Sequence, residues 1–398
     1  MTVPASRVRR RPRTPGRLLP LLLATALLLP VAFLVVQGHR LLDADRELAE
    51  RERLGVEYLR ALGPVTEALV DAQTAAVAGR PASRDALDRA VEQAATVDSR
   101  IGEELRSTER WAGLRAKLEG LPSRSLTDPE AAFTAYGEVT DLLLALHGKV
   151  RETSGLIRDA GSDSYFLQDG VGEEMPEAVV AAGRLVDLAV LTQQRPAAEQ
   201  ARSLAELATL RFAALQPAGD LVDDLQAVVD TSESADIGAG VLTPLDTYQR
   251  AIEAMGALSQ PTGRTQTVDL TKLASARSQA QNAARQLQPV ILDELDRLLQ
   301  QRIDQLDGDD LLILGAGGVA GLLLVALGAS GWLSRRRDTP VGSGTAPGEP
   351  TEETEETGPT RWEPPAQPGR LPAGPVPVLQ PAGQGPEPDR WRPFDAAR

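Results

Sequence analysis

LLPLLLATALLLPVAFLVV at residues 18–36 and LLILGAGGVAGLLLVALGASGWL at residues 311–333 bracket the chain. Neither stretch carries a charged residue, and each matches the about 20 apolar residues that a helix needs to cross a hydrocarbon core. Between them lies a long polar segment rich in helix formers; after them comes a tail dominated by Pro, Gly, Glu and Thr. The reading is two membrane helices around one large domain. A core helix is the ordinary alternative for the second stretch, but its sharp limits between Asp310 and Arg335 argue against it.

Orientation follows from the flanking charges. Arg7, Arg9, Arg10, Arg11, Arg13 and Arg17 precede the first stretch, and Arg335, Arg336 and Arg337 follow the second. Positive flanks stay cytoplasmic, so both termini are expected inside and residues 37–310 outside the cell membrane. Asp43 and Asp45 on one inner flank, and Asp307, Asp309 and Asp310 on the other, agree with this. A cleaved signal peptide is the alternative for residues 18–36. The run exceeds the about 7–15 residues of an h-region, so an uncleaved anchor is favoured. The expected division is a basic N-terminus (1–17), a signal anchor (18–36), an extracytoplasmic domain (37–310), a second span (311–333) and a disordered cytoplasmic tail (334–398). Gly317-x-x-x-Gly321 has the spacing at which two membrane helices approach closely, which predicts a homodimer.

Composition narrows the function. The chain has 398 residues and a formal net charge of -14, which disfavours nucleic acid and anionic lipid as partners. It has no cysteine and two histidines, His39 and His147, so neither thiolate chemistry nor a Cys/His metal site is expected. His147 sits among Leu142, Leu143, Leu144, Leu146 and Val150 and reads as a helix-face residue rather than a catalyst. No phosphate loop, zinc signature or kinase signature occurs. Aromatic residues make up 3% of the chain, too few for a sugar-stacking surface. No enzyme activity and no cofactor are expected.

The central segment reads as all-α. Tyr58, Leu62, Val65, Leu69, Ala72 and Ala76 alternate steps of four and three along one helix that continues the first span and ends near Gly79-Arg80-Pro81. A second helix is expected from a cap at Ser83 through Leu87, Val91, Ile101, Leu105, Trp111 and Leu118. Thr127-Asp128-Pro129-Glu130 opens a third, since an Asx cap followed by Pro is a helix start. A break at Gly161-Ser162-Asp163 precedes a fourth, kinked near Met175-Pro176. Shorter helices are expected at 197–215 and 217–231, and another from Thr243-Pro244 to about Leu258. A last long helix runs from Asp269 through Leu287, Ile291, Leu295 and Leu306 into the second span. The expected fold is an elongated antiparallel helical bundle, single or as two stacked four-helix bundles.

Several phrases carry a resemblance. Leu54-Gly55-Val56-Glu57-Tyr58-Leu59-Arg60-Ala61-Leu62, Trp111-Ala112-Gly113-Leu114, and the corner from Ser154 through Arg158, Asp163 and Tyr165 to Leu167 occur in that order, followed by Met175-Pro176-Glu177. Together they resemble the extracytoplasmic helical-bundle sensor regions of bacterial chemoreceptors, sensor histidine kinases and diguanylate cyclases. The resemblance implies a ligand site between helices and transmission to the cytoplasm. Two phrases depart from it: Gln73-Thr74 stands where an H-R pair is common, and Arg158-Asp159-Ala160 where L-D-P is common. The HAMP linker and output module of that family are not recognisable after Arg337. Transfer to a separate cytoplasmic signalling partner is therefore expected, with Trp362 and Trp391 as docking residues in the tail.

The groups expected at a ligand site are Tyr58, Arg60, Trp111, Arg158, Asp163 and Tyr165. Each also has an ordinary role: core filling for the aromatics, a solvated face for the arginines, a helix cap for Asp163. The ligand is not named by the sequence. A structural or assembly protein of the cell envelope is the other function that fits these features.

Overall fold

A computed structural model describes residues 19–80, 84–121, 128–157, 162–231, 235–260 and 268–337. Among them the chain is helical, with no strand. The helices are α1 (Leu19–Val77), α2 (Arg84–Ile101), α3 (Thr108–Gly120), α4 (Pro129–Ser154), α5 (Ser162–Asp169), α6 (Met175–Gln194), α7 (Gln200–Thr231), α8 (Ala235–Leu258) and α9 (Leu270–Arg337). The expectations for Ser83, Arg158, Trp362 and Trp391 lie outside the described residues, as does the side chain of Asp163.

α1 and α9 each contain an apolar window, of mean hydropathy 1.5 and 2.4, in which no residue is buried. Leu29, Phe33, Leu34, Leu311, Leu322 and Val325 stand exposed along them. A core helix would bury these side chains, so the apolar windows lie outside the core, and the two helices are long and apolar enough to cross a membrane. Both helices continue from the apolar window into the polar domain without a break.

The stripe read along α1 is the core-facing one: Tyr58, Leu62, Val65, Leu69 and Ala72 are buried against α2, α4, α6 and α9. From α9 come Leu287, Ile291, Leu295 and Leu299, and α8 packs on the same helix. α4 starts as its signal predicts. The Asp128 side chain accepts from the Ala131 N–H at 3.1 Å, with Pro129 in the first turn. It ends at Gly155, whose φ of +95° is a left-handed cap that a β-carbon would strain.

Three local expectations are corrected. The helix expected over 83–120 is two helices, because residues 102–106 form a turn in which Arg106 takes φ +51°. The Gly102 N–H still bonds the Asp98 carbonyl at 2.7 Å, but the Ser107 N–H turns back to the Gly102 carbonyl at 2.9 Å. The kink at Met175-Pro176 is a π-turn over Gly170–Glu174 that joins α5 to α6. Pro176 has no N–H to give the preceding turn and crowds it, and a widened turn relieves both problems. Conversely, Pro217 does not end a helix: α7 runs through it. Ala214, Ala218, Leu221, Leu225 and Val228 form one buried stripe across the proline, so tertiary packing outweighs one lost backbone bond.

Candidate functional site: a charged ladder and a buried polar layer

α1 and α9 face each other in antiparallel register. A β-carbon on Gly317 would lie 2.7 Å from Val35 Cγ2. Further out, His39 Nδ1 meets Asp310 at 2.6 Å, Arg46 meets Asp307 at 2.6 Å, and Arg53 meets Asp296 at 2.7 Å. Arg60 then meets Asp293 at 2.7 Å, Glu67 meets Arg285 at 2.5 Å, and Asp71 contacts Arg277. As the α1 number climbs from 35 to 71, its partner's number falls from 317 to 277. His39, Arg46, Arg53, Arg60 and Glu67 are seven residues apart, the spacing of positions flanking a coiled-coil seam. Of these five, only Arg60 is among the residues expected at a ligand site, although the seven-residue repeat is itself a sequence feature.

The four pairs made by His39, Arg46, Arg53 and Arg60 are largely exposed, and exposed pairs contribute about 0–1 kcal/mol or nothing measurable, whereas Glu67 and Arg277 in the last two pairs are largely buried. Their effect is on register and pairing rather than stability. The rung nearest the apolar windows is also a protonation site. The Asp310 hydrogen bond and charge, with the Asp43 charge, hold the His39 imidazole above its usual range.

The other predicted residues divide. Tyr58 is fully buried, and its hydroxyl donates to Asp98 Oδ1 at 2.7 Å. Ser107 Oγ donates to the same oxygen at 3.1 Å, and the Ser107 carbonyl accepts the Trp111 N–H at 2.9 Å. Asp98 and Ser107 thus tie Tyr58 to the turn that separates α2 from α3, and Tyr58 and Trp111 belong to one buried core. Burial and the Asp98 hydrogen bond push the Tyr58 phenol well above its usual range. Arg60 is on the ladder, and Tyr165 is 42% exposed with its ring edge against Phe166. Gly317 packs on Val35 of the same chain, whereas Gly321 has no neighbouring side chain within 4 Å.

Tyr58→Phe is expected to cost about 1.5–3 kcal/mol, the value of a hydrogen bond to a charged group. Denaturant unfolding of the full chain in detergent measures it. A loss under about 0.5 kcal/mol would mean that Asp98 does not depend on the phenol.

A polar layer crosses the core further along α1. Gln73 Nε2 donates to Asp187 Oδ2 at 2.9 Å, and Thr140 Oγ1 donates to Gln73 Oε1 at 3.3 Å. Gln73 occupies a position where the resemblance departs from its pattern. Two α1 turns earlier, the Thr66 hydroxyl lies 3.1 Å from His147 Nε2. Burial pushes the Asp187 carboxyl up to about 6, moderated by the Thr74 and Gln73 side chains, and depresses His147 to about 4. Neither group was singled out for a site. Each finds its partner on another helix, so no local pattern marks it.

Near the π-turn, the carboxylates of Asp169, Glu174 and Asp224 lie within 4.8 Å of one another. Burial, then Asp224 and Asp169, push Glu174 up to about 8; burial and neighbouring aspartates raise Asp224 to about 6. Hard cations take such oxygen donors. A protonated Glu174 is the chemistry the burial itself favours.

No family model, no curated protein and no solved structure matches this chain.

Proposed function

We propose that the chain is a two-pass membrane sensor with cytoplasmic termini and a helical-bundle ectodomain over residues 37–310. In this reading the helices form an elongated antiparallel bundle like those of the bacterial sensor regions the sequence resembles. The observation that carries the reading is the α1–α9 pair. Two helices that leave the membrane zones and enter the domain without a break, paired rung by rung, are a mechanical connection between ectodomain and spans. A shift of one helix against the other would reach the cytoplasmic face as a displacement, the kind of transition that packed helices use for signalling. The signal would pass to a cytoplasmic partner, with the tail tryptophans Trp362 and Trp391 as its docking residues.

The test uses the full chain in nanodiscs, spin-labelled at Arg40→Cys and Asp309→Cys. Compounds from a small-metabolite library that raise the thermal transition are identified first, since a ligand of the native state stabilises by mass action. A sensor is expected to change the label-to-label distance when such a compound binds. No stabilising compound, together with one stable envelope partner recovered by crosslinking in cells, would support an assembly role instead.

A further inference from the structure

Between α4 and the start of α6 lies a cleft of about 300 Å³. Its apolar wall includes Leu144, Pro176 and Ile157; its polar groups include His147, Arg151, Glu173 and Glu177. The volume is at the lower end for ligand sites, so any occupant is small.

His147 defines the chemistry. The Thr66 hydroxyl gives its one proton to the Leu62 carbonyl at 3.1 Å. Its oxygen can then only accept from the imidazole, so His147 Nε2 carries the hydrogen. Nδ1 is left as a lone-pair acceptor, and it is buried with no hydrogen-bond partner among the described residues. Burial keeps the ring neutral near pH 7. An unpaired buried acceptor is costly, and His147 is among the residues that line the cleft, so a donor that reaches Nδ1 from the cleft side would relieve it.

The charges at the mouth select the donor. Arg151 is the cation of the cleft, and its guanidinium already holds Asp169 at 2.7 Å and contacts Glu173. Glu152, on the same wall, has Lys149 at 3.6 Å, which leaves Glu177 as the lining carboxylate with no ion pair of its own among the described residues. Burial holds the Glu177 carboxyl above its usual range, a cost that a bound cation offsets.

We propose that this cleft binds a small organic cation with N–H donors, a primary alkylammonium, with one N–H on His147 Nδ1, the charge beside Glu177 and the alkyl body on Leu144 and Pro176. The proposal supplies a ligand class to the sensor reading and rests on that reading for its purpose; binding itself is measured separately. Calorimetry on the full chain in nanodiscs compares n-butylammonium with its N-trimethyl counterpart, which has the same charge and no N–H. The primary amine is expected to bind at one site per chain, at least about tenfold tighter than the quaternary one. Glu177→Gln, which removes the charge and keeps the shape, is expected to weaken it about tenfold without lowering the thermal transition. His147→Gln is expected to narrow the difference between the two amines.

Equal binding of both amines, unaltered binding by Glu177→Gln, or no saturable heat up to about 10 mM amine would overturn the proposal. Selective binding with an unchanged distance between labels at 40 and 309 would leave this site standing and contradict the sensor reading alone. A distance change driven by other compounds, with no amine binding, would do the reverse.

Discussion

Replacing Trp111 with alanine is expected to destabilise the ectodomain by about 3–5 kcal/mol, the range for truncating a buried Trp. The indole is 4% exposed and belongs to the same core as Leu105, Leu114 and Leu118. It is also the first large apolar side chain after the turn at 102–106. Removing it empties the core beside the Tyr58–Asp98–Ser107 group, where three helices meet, and little of that volume can close without moving the turn. Trp111→Phe retains part of the packing and is expected to lose less. Urea unfolding followed by far-ultraviolet circular dichroism measures both variants. A loss below about 1 kcal/mol for the alanine variant would show that the indole is not part of a packed core.

Asp187→Asn is expected to act in the opposite direction. Burial raises the folded carboxyl from an ordinary 3.8 to about 6, so its charged form disfavours the folded state. Stability linked to Asp187 is fully present below pH 3.8 and is lost as pH rises through about 6. The difference corresponds to about 3 kcal/mol. An amide has no such charge and can still accept from Gln73, so the variant is expected to be more stable than the parent at pH 8 by up to about 3 kcal/mol, with the gain vanishing near pH 4. The parent alone does not reveal this. His147 is depressed to about 4, so its contribution is present above pH 6.5 and is lost as pH falls, which opposes Asp187 over the same window. Subtracting parent from variant removes the histidine. A difference that stays constant from pH 4 to pH 8 would contradict the assignment.

Much of the helical framework is legible from local chemistry. Asp128-Pro129 starts α4, Asp269 starts α9 by accepting from the Lys272 N–H at 3.1 Å, and the α1 stripe faces the core as its spacing predicts. The misreadings occur where a distant partner decides. Gly102 inside a helical pattern costs only about 1 kcal/mol and gives no clear stop signal. The turn there is fixed by Asp98 reaching Tyr58, 40 residues away. Pro217 reads as a stop because the stripe that carries α7 through it depends on packing against neighbouring helices. The Gln73–Asp187 pair spans 114 residues and has no local signature at all. The charged ladder is different: its seven-residue repeat on α1 is a sequence feature, but the acids it meets on α9, Asp310, Asp307, Asp296 and Asp293, step alternately by 3 and 11 residues, so no single heptad position marks them.

The α1–α9 register is tested most directly by crosslinking, because the chain has no cysteine of its own. A β-carbon at Gly317 would lie 3.7 Å from Val35 Cβ, close to the about 3.8 Å separation found in disulfides. Val35→Cys paired with Gly317→Cys should form an intramolecular disulfide rapidly under mild oxidation, and Val35→Cys paired with Gly321→Cys should not. Equal rates for the two pairs, or a product that is only an intermolecular dimer, would contradict the ladder as the link between domain and spans.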